Sequence, residues 1–279
     1  MTSVCFKKVS NMFRVKLSVV CATGMAAAVL FIAGCSTAKV DPTAGMSTSE
    51  IYAEAKDQME GSQWDKAIPF LEKLESRAAG TPMAQQAQLD KAYAQYKSGE
   101  SAQAISTLDR FMKLHPASPA IDYALYLKGL INFNDDLGMF SAISRQDLTE
   151  RDQKASKESF ESFRELVNRF PESKYAVDAA QRMNYIVSSL AQYEVHVARY
   201  YYKRGAYLAA LNRAQVALSD YRDVPALEEA LFIIYKSYDA LGMTKLRDDA
   251  KRVLEKNYPR SDFLVKGGRP VDDPWWKVW

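Results

Sequence analysis

The side chains able to do covalent chemistry are few in this sequence of 279 residues. It contains three cysteines, Cys5, Cys21 and Cys35, and two histidines, His115 and His196, which are far apart in sequence. Hydrolases of the serine or cysteine type need a nucleophile and a base in mutual reach. No H-E-x-x-H, G-x-x-x-x-G-K-[ST], G-x-G-x-x-G or G-x-S-x-G segment occurs. The sequence therefore argues against an enzyme, and an enzyme with a carboxylate pair that no motif marks is the weakest alternative.

The cysteine with the clearest chemical context is Cys35, which follows a basic segment and an apolar run. Residues 1–16 carry four basic residues and no acidic one, and residues 17–33 carry no charge. This order, followed by small residues, is typical of a secretory signal peptide, which we place at residues 1–34. The alternative is a transmembrane anchor, although an uncharged run of 17 residues reaches only the lower edge of a membrane span.

The segment Ile32-Ala33-Gly34-Cys35 resembles a bacterial lipobox. The resemblance implies cleavage after Gly34, a diacylglycerol on the Cys35 sulfur and an N-palmitoyl group on the new amino terminus. One acyl chain holds a protein at a membrane only marginally, whereas two or three hold it stably. Ser36 stands where an aspartate would signal inner-membrane retention, so the outer membrane is favoured. Residues 35–48 are then an acylated cysteine and a flexible polar tether.

From residue 48 onward the apolar residues recur at intervals of three and four, which predicts amphipathic helices and no strands. Ser47 and Glu50 fit a capping box at the start of the first helix. Gly99 and Pro116 are 17 residues apart, and so are Gly242 and Pro259. Glycine permits the turn between two paired helices and proline ends the second one. Three serines follow such prolines and are expected to cap the next helices, with Pro119 in the first helical position: Ser118, Ser173 and Ser261.

This spacing of glycine and proline agrees with the tetratricopeptide repeat pattern of about 34 residues. We therefore predict an all-α protein, an α-solenoid of about five tetratricopeptide-like helix pairs over residues 49–265. The repeats divide into an amino-terminal part (49–117), a repeat with an insertion near 132–154 (118–172) and a carboxy-terminal part (173–265), in which surplus helix precedes Gly205. The tail, 266–279, carries Trp275, Trp276 and Trp279. These can dock on the last helix, bind a partner or lie at a membrane interface.

The charge balance and the aromatic content indicate what the array binds. Four of the 37 Lys and Arg residues lie in 1–34, which leaves 33 against 34 acidic residues in the rest. A body this close to neutral is a poor candidate for nucleic-acid binding. Stacked helix pairs form a groove suited to protein segments, and several of the 16 tyrosines fall on the first helices that line it. No cofactor is expected.

Several short segments make the resemblance more specific than a generic repeat. The lipobox and the inserted repeat resemble those of the BamD family, lipoproteins of the machinery that assembles β-barrels in the bacterial outer membrane. The further segments that carry the resemblance are Gln88-Leu89-Asp90, Leu108-Asp109-Arg110-Phe111, Ile121-Asp122-Tyr123, Lys128-Gly129-Leu130, Ala191-Gln192-Tyr193-Glu194, Tyr201-Tyr202 and Asn212-Arg213. The chain departs from the family at Arg77-Ala78-Ala79-Gly80, where the family has an Arg-Tyr-Pro-Phe-Gly stretch, and in its tryptophan-rich tail.

The resemblance implies a scaffold at the periplasmic side of the outer membrane. Its carboxy-terminal repeats would dock on the POTRA domain of BamA, with Arg213, Tyr201 and Tyr202 as candidate partner-binding residues. BamC and BamE would be further partners, and the amino-terminal groove would receive unfolded outer-membrane β-barrel proteins. The candidate residues of that groove are Asp90, Tyr93, Tyr96, Asp122 and Tyr126. The alternative is another periplasmic tetratricopeptide-repeat lipoprotein that coordinates cell-envelope synthesis or division.

Overall fold

The computed structural model describes residues 41–133 and 153–267, and every regular element within these ranges is an α-helix. The chain divides into two compact units, Met1–Met46 and Ser47–Trp279. The helices belong to the second unit: α1 (Thr48–Glu60), α2 (Trp64–Arg77), α3 (Pro82–Lys97), α4 (Ser101–Leu114), α5 (Ile121–Asn132), α6 (Gln153–Arg169), α7 (Ala176–Lys203), α8 (Tyr207–Asp220), α9 (Ala226–Ala240), α10 (Thr244–Asn257) and α11 (Asp262–Lys266). The predicted all-α class is confirmed.

Consecutive helices pack on one another and form five pairs: α1 with α2, α3 with α4, α5 with α6, α7 with α8, and α9 with α10. The second helix of each pair also packs on the first helix of the next pair, so the pairs stack into one array. The five predicted helix pairs are thus confirmed. Helix α7 has 28 residues and contains the predicted surplus. Within the described ranges, no helix combines the length and the apolar character that crossing a membrane would need.

The turns follow the chemistry that the sequence predicts at most positions. Ser47 Oγ accepts a hydrogen bond from the Glu50 amide at 3.3 Å, and a Glu50 carboxylate oxygen accepts from the Ser47 amide at 2.7 Å, which is the capping box. Gly99 and Gly242 have φ of 86° and 70°, a left-handed conformation that glycine adopts without a steric penalty. These two glycines therefore make the turns inside the second and fifth pairs.

The predicted serine caps are wrong in detail. Helices α5 and α7 begin at Ile121 and Ala176, so Ser118 and Ser173 lie before the cap positions and Pro119 is outside the helix. Each hydroxyl accepts a hydrogen bond from the backbone amide two residues later in the chain, at 3.4 Å for Ser118 and 3.2 Å for Ser173. Ser261 is the N-cap residue of α11, but its side chain makes no capping bond. The serines close a turn ahead of the helix because short hydroxyl side chains bond readily to nearby amides.

Gly129 is needed for the packing of the inserted pair. A Cβ atom added at this position of α5 would lie 2.4 Å from Cε1 of Phe163, whose ring is fully buried on α6. The Gly129 carbonyl also accepts a hydrogen bond from Ser159 Oγ at 2.8 Å. Helix α5 ends at Asn132 and α6 begins at Gln153, so most of the predicted insertion falls outside the described residues.

We expect Gly129→Ala to lower the free energy of unfolding by up to about 2 kcal/mol, because overpacking a core usually costs about 1–3 kcal/mol. The gain in helix propensity, about 1 kcal/mol, offsets only part of this cost. Chemical denaturation measures the change. Gly61→Ala is the matched control, because Gly61 has φ of −73° and its added Cβ would come no closer than 3.3 Å to a neighbour. An equal, small effect of both substitutions would contradict the prediction.

A largely buried ion network joins the first two pairs. Glu75 of α2 accepts from Gln88 and Lys91 of α3, at 2.8 Å and 2.6 Å, and from Arg110 of α4 at 2.8 Å. Burial raises the pKa of the Glu75 carboxyl, but hydrogen bonds and charge from these partners outweigh it, and its pKa lies below the ordinary 4.5. The Lys91 side chain is only 7% exposed, so Glu75 supplies the negative charge that compensates it.

Candidate protein-binding surfaces

The first helices of the pairs are α1, α3, α5, α7 and α9, and polar contacts join several of them directly. In arrays of stacked helix pairs, such helices line the surface that binds protein segments. We call the tyrosines, tryptophan and charged residues on and beside α1, α3, α5 and the start of α7 the amino-terminal surface. It contains all five candidate groove residues.

Asp90 of α3 contacts three polar side chains on the amino-terminal surface. Its carboxylate accepts from Tyr52 Oη of α1 at 3.1 Å and from Gln86 Nε2 at 3.0 Å, and Lys56 Nζ lies 4.0 Å away. Burial, and then the Asp90 charge and hydrogen bond, raise the pKa of Tyr52 to about 12. Asp90 therefore joins α1 to α3 in addition to any role in binding.

The aromatic candidates on α3 lie near a tryptophan that the sequence argument did not use. The ring of Tyr93 lies edge-on to Trp64 of α2, with centroids 5.6 Å apart, and Lys97 Nζ is 6.0 Å from the Trp64 ring. Tyr93 and Tyr96 are half-buried and pack against the main core. Their rings thus offer apolar area at the border between core and solvent.

At the inserted pair, Asp122 and Tyr126 of α5 both bond to the segment that begins α7. Ser173 Oγ donates to Asp122 at 2.6 Å, and Tyr126 Oη donates to Asp178 at 2.7 Å. The Tyr126 ring stacks on Tyr175, with centroids 4.6 Å apart and planes 17° apart. These contacts fix the orientation of the tyrosine rings, which is the preorganisation that a binding surface needs.

Burial and charge perturb the titration of this surface. Burial raises the pKa of Tyr123 well above its usual range, with added contributions from Asp90, Tyr175 and Tyr93. Burial and the bond to Asp178 raise the pKa of Tyr126. Burial raises the pKa of the Asp178 carboxyl, but hydrogen bonds from Arg182 and Tyr126 outweigh it and hold the pKa below 3.8. Both tyrosines are therefore neutral at physiological pH, and Tyr126 acts as a hydrogen-bond donor.

We expect Tyr126→Phe to raise the pKa of Asp178 towards its ordinary value, because one of the donors that stabilise the carboxylate is lost. The loss in stability should be about 1 kcal/mol, as for a single hydrogen bond at a partly exposed site. A carboxyl-detected NMR titration follows the pKa. Tyr123→Phe is the control, since no hydrogen bond to Asp178 is lost there; an unchanged Asp178 in Tyr126→Phe would contradict the prediction.

The carboxy-terminal candidates lie on α7 and α8. Arg213 Nη1 donates to Glu194 Oε2 of α7 at 3.1 Å; the Arg213 side chain is 45% exposed, whereas that of Glu194 is 7% exposed. The bond uses one of the five N–H donors of the guanidinium. Tyr201 and Tyr202 are half-buried against the core that α7, α8 and α9 share. A second ion pair, Arg199 to Glu229 with Nη2 2.7 Å from Oε2, joins α7 to α9.

Sequence reasoning missed the partners that orient these candidates, namely Tyr52, Tyr175, Asp178 and Glu194. Lys128, which belongs to one of the segments that carry the family resemblance, has its Nζ bonded to Asp109 at 2.6 Å on the side of α4 and α6. Cys35, the part of the tail after Gly267 and most of the insertion lie outside the described residues. Among the described residues, no group of three or more His, Cys, Asp or Glu is placed to hold a metal ion.

Stacked helix pairs with oriented tyrosines and half-exposed charges define the molecule as a tetratricopeptide-type protein-binding scaffold. Residues 44–253 match the family described as "YfiO: Outer membrane lipoprotein". The chain belongs to this family, whose curated relatives carry the name BamD.

Several of these relatives span most of the chain. A Neisseria meningitidis serogroup A protein is 46% identical over 85% of this chain and 89% of its own length. A Neisseria gonorrhoeae protein is 42% identical over 95% of this chain and 99% of its own length. A Vibrio cholerae protein is 34% identical over 80% of this chain and 92% of its own length. Each is named "Outer membrane protein assembly factor BamD". Among solved structures, Podosopora anserina kinesin light chain TPR-like repeats are 14% identical, cover 76% of this chain and 95% of their own, and give a TM-score of 0.33.

Proposed function

We propose that this chain is an outer-membrane protein assembly factor that acts as a non-enzymatic scaffold. The observation that carries the proposal is the 46% identity to a BamD assembly factor over 89% of that protein's length. The uninterrupted stack of five helix pairs supports it, because such a stack presents a long surface for protein partners. The relatives favour this function over the alternative of a lipoprotein for envelope synthesis or division.

The anchor of the scaffold is Cys35, modified with N-palmitoyl and S-diacylglycerol groups, and it holds the chain to the periplasmic side of the outer membrane. The description of the family as an outer membrane lipoprotein supports this assignment. Residues 36–46, which precede the capping box of α1, let the repeats stand away from the membrane surface.

The amino-terminal surface binds apolar and aromatic segments of unfolded outer-membrane β-barrel proteins. Tyr93, Tyr96 and Tyr126 supply ring area, and their half-buried positions limit the entropy lost on binding. Asp90 and Asp122 act on this surface mainly through the tyrosine and serine partners that they hold in place.

The carboxy-terminal repeats bind other members of the machinery: the POTRA domain of BamA, and BamE. Arg213 is the central docking residue, because its half-exposed guanidinium is held in one orientation by buried Glu194. Tyr201 and Tyr202 supply the neighbouring aromatic contacts. BamC is the expected partner of the amino-terminal repeats.

Co-purification tests the proposal. The full-length chain carries an affinity tag after Trp279, the membranes are solubilised in a mild detergent, and the eluate is identified by mass spectrometry. We expect a large POTRA-containing barrel protein in near-equal amount. Its absence from an eluate in which the bait is folded and lipidated would overturn the assignment.

Treatment of intact cells with a lipid-specific label distinguishes an acylated Cys35 from an unmodified one, with Cys35→Ser as the control.

A further inference from the structure

The turns inside the last two helix pairs carry a large share of the exposed apolar side chains. Among the residues that the structure describes, ten large hydrophobic side chains are exposed, and five of them lie within five residues of Gly205 or Gly242. Their exposed fractions lie between 37% and 60%. They are Tyr200, Leu208, Leu241, Met243 and Leu246.

The two turns lie side by side on one edge of the array. Short connections join α7 to α8 and α8 to α9, so consecutive helices run antiparallel, and α7 and α9 therefore point the same way. Tyr201 and Tyr238 each precede the turn glycine by four residues, and both pack on the same core. We call the five exposed apolar residues, together with Lys203, Arg204 and Lys245, the carboxy-terminal turn edge.

The turns inside the first two pairs show that the fold does not require this chemistry. In residues 57–66 and 96–103, which the structure describes in full, no large apolar side chain is exposed. Trp64, beside the first of these turns, is half-buried and contacts the ring of Tyr93. The apolar exposure at the carboxy-terminal turn edge is therefore a property of these two pairs and not of the repeat.

The basic residues of the same edge lack acidic partners among the described residues. Lys203 and Lys245 are exposed and form no ion pair with a described carboxylate. Arg204 is exposed as well, and its guanidinium lies 5.3 Å from the centre of the Tyr200 ring. These cations remain available to a partner.

The neighbouring carboxylates are already engaged. Asp239 lies 3.4 Å from Arg247 and 3.7 Å from Lys236, and Asp248 lies 2.8 Å from the same arginine. The carboxy-terminal turn edge thus combines apolar side chains with uncompensated positive charge.

We propose that the carboxy-terminal turn edge binds the surface of an anionic phospholipid membrane. Proteins that lie on a membrane combine exposed aliphatic and aromatic side chains with Lys and Arg. The apolar groups enter the interface, where tyrosine is favoured, while the cations meet the lipid phosphates. Turns at the edge of an array project from it, and a projecting edge fits a flat surface.

The inference rests on the proposed lipid anchor. Acylation of Cys35 brings the chain to the membrane, so that a weak second contact is sufficient to hold the repeats in one orientation. Residues 36–46 span up to about 35 Å when extended, which gives the repeats room to turn towards the bilayer. Arg213 lies about 10 Å along α8 from the turn and stays separate from the edge.

A nitrobenzoxadiazole probe on Leu208→Cys tests the contact in the full-length, lipidated chain, reconstituted into phosphatidylcholine vesicles with and without phosphatidylglycerol. We expect its emission to shift to shorter wavelength with phosphatidylglycerol, and the shift to disappear at high salt, which screens surface charge. Leu114→Cys is the matched control, because Leu114 is 59% exposed and Leu208 60%. Leu114 ends α4 on the opposite edge, so its emission should not depend on the lipid.

Charge variants separate binding by the edge from insertion of the probe alone. Lys203→Gln with Lys245→Gln should abolish most of the shift at position 208, because both uncompensated lysines are removed. Lys66→Gln with Lys97→Gln is the matched control, since these exposed lysines flank the turns of the first two pairs. The control pair should leave the shift unchanged. Equal effects of the two pairs would contradict a contact made by the carboxy-terminal turn edge.

Flotation of the vesicles distinguishes failure of the anchor from failure of the contact. A chain that floats with neither vesicle contradicts the anchor, and the contact with it. A floating chain whose emission at position 208 is the same with both lipids overturns the contact alone.

Hydrogen exchange of the unlabelled chain covers the case in which the probe disturbs the edge. The amides of residues 204–208 and 241–245 should exchange more slowly in the presence of phosphatidylglycerol, whereas those of residues 61–65 should not change. Equal exchange with both lipids would overturn the proposal. Protection that requires the POTRA-containing protein would also overturn it, because the edge would then bind a protein.

Discussion

Glu75→Gln is expected to lower the free energy of unfolding by about 3–5 kcal/mol, the cost of leaving a buried charge without its partner. The substitution keeps the shape of the side chain but removes the negative charge that Lys91 and Arg110 share. The Lys91 side chain is almost fully buried beside Glu75, where α2 and α3 pack together. Denaturant unfolding followed by circular dichroism measures the loss.

Two controls locate the effect in the buried network. Glu72→Gln changes an exposed carboxylate of the same helix and should cost less than about 0.5 kcal/mol. Arg110→Gln removes the half-exposed partner and should cost about 1 kcal/mol or less, because solvent already screens that charge. A loss for Arg110→Gln as large as that for Glu75→Gln would show that the cost does not come from the burial of Lys91.

The same carboxylate makes stability depend on pH in a defined direction. Because the pKa of Glu75 is lower in the folded chain than the ordinary 4.5, its contribution is fully present above that value and is lost as the pH falls through the folded pKa. The stability difference between the native protein and Glu75→Gln should therefore shrink as the pH falls from about 5 to about 3. A difference that stays constant over this range would contradict the lowered pKa.

Much of the fold could be predicted because the residues that begin its helices and make its turns act locally. Gly99 and Gly242 adopt left-handed backbone conformations that follow from residue type, and the Ser47–Glu50 capping box needs only four consecutive residues. The serine caps failed at Ser118 and Ser173 because a short hydroxyl can close a turn as readily as it caps a helix. The distinction depends on where the next helix packs.

The site residues could be placed on helices from sequence, but their partners could not. Tyr52 and Asp90 are 38 residues apart, whereas Tyr126 and Asp178 are 52 apart, since the insertion in the third pair interrupts the period. The Glu75 network draws its donors from two further helices. Such contacts arise from the stacking of pairs, and the spacing of residues within one pair does not encode them.

The pairing of Arg213 with Glu194 decides how the docking function should be tested. Arg213→Ala alone leaves the Glu194 carboxylate, 7% exposed, without its partner, and we expect a loss of about 3–5 kcal/mol in unfolding free energy. A failure of this variant to capture a partner would therefore mix poor folding with poor docking. Arg213→Glu is less suitable still, because it would place a second negative charge beside Glu194.

The double variant Arg213→Ala with Glu194→Gln separates the two effects. Removing both charges should restore most of the lost stability, because no buried charge is left uncompensated. Capture of the POTRA-containing partner should remain weaker by about 2 kcal/mol, or about 30-fold, as for a central interface arginine. Glu194→Gln alone keeps the exposed guanidinium and should retain most of the capture. Full capture of the partner by the folded double variant would show that Arg213 is not part of the docking surface. Loss of capture in the two variants that lack Arg213, but not in Glu194→Gln, would assign the contact to the Arg213 guanidinium.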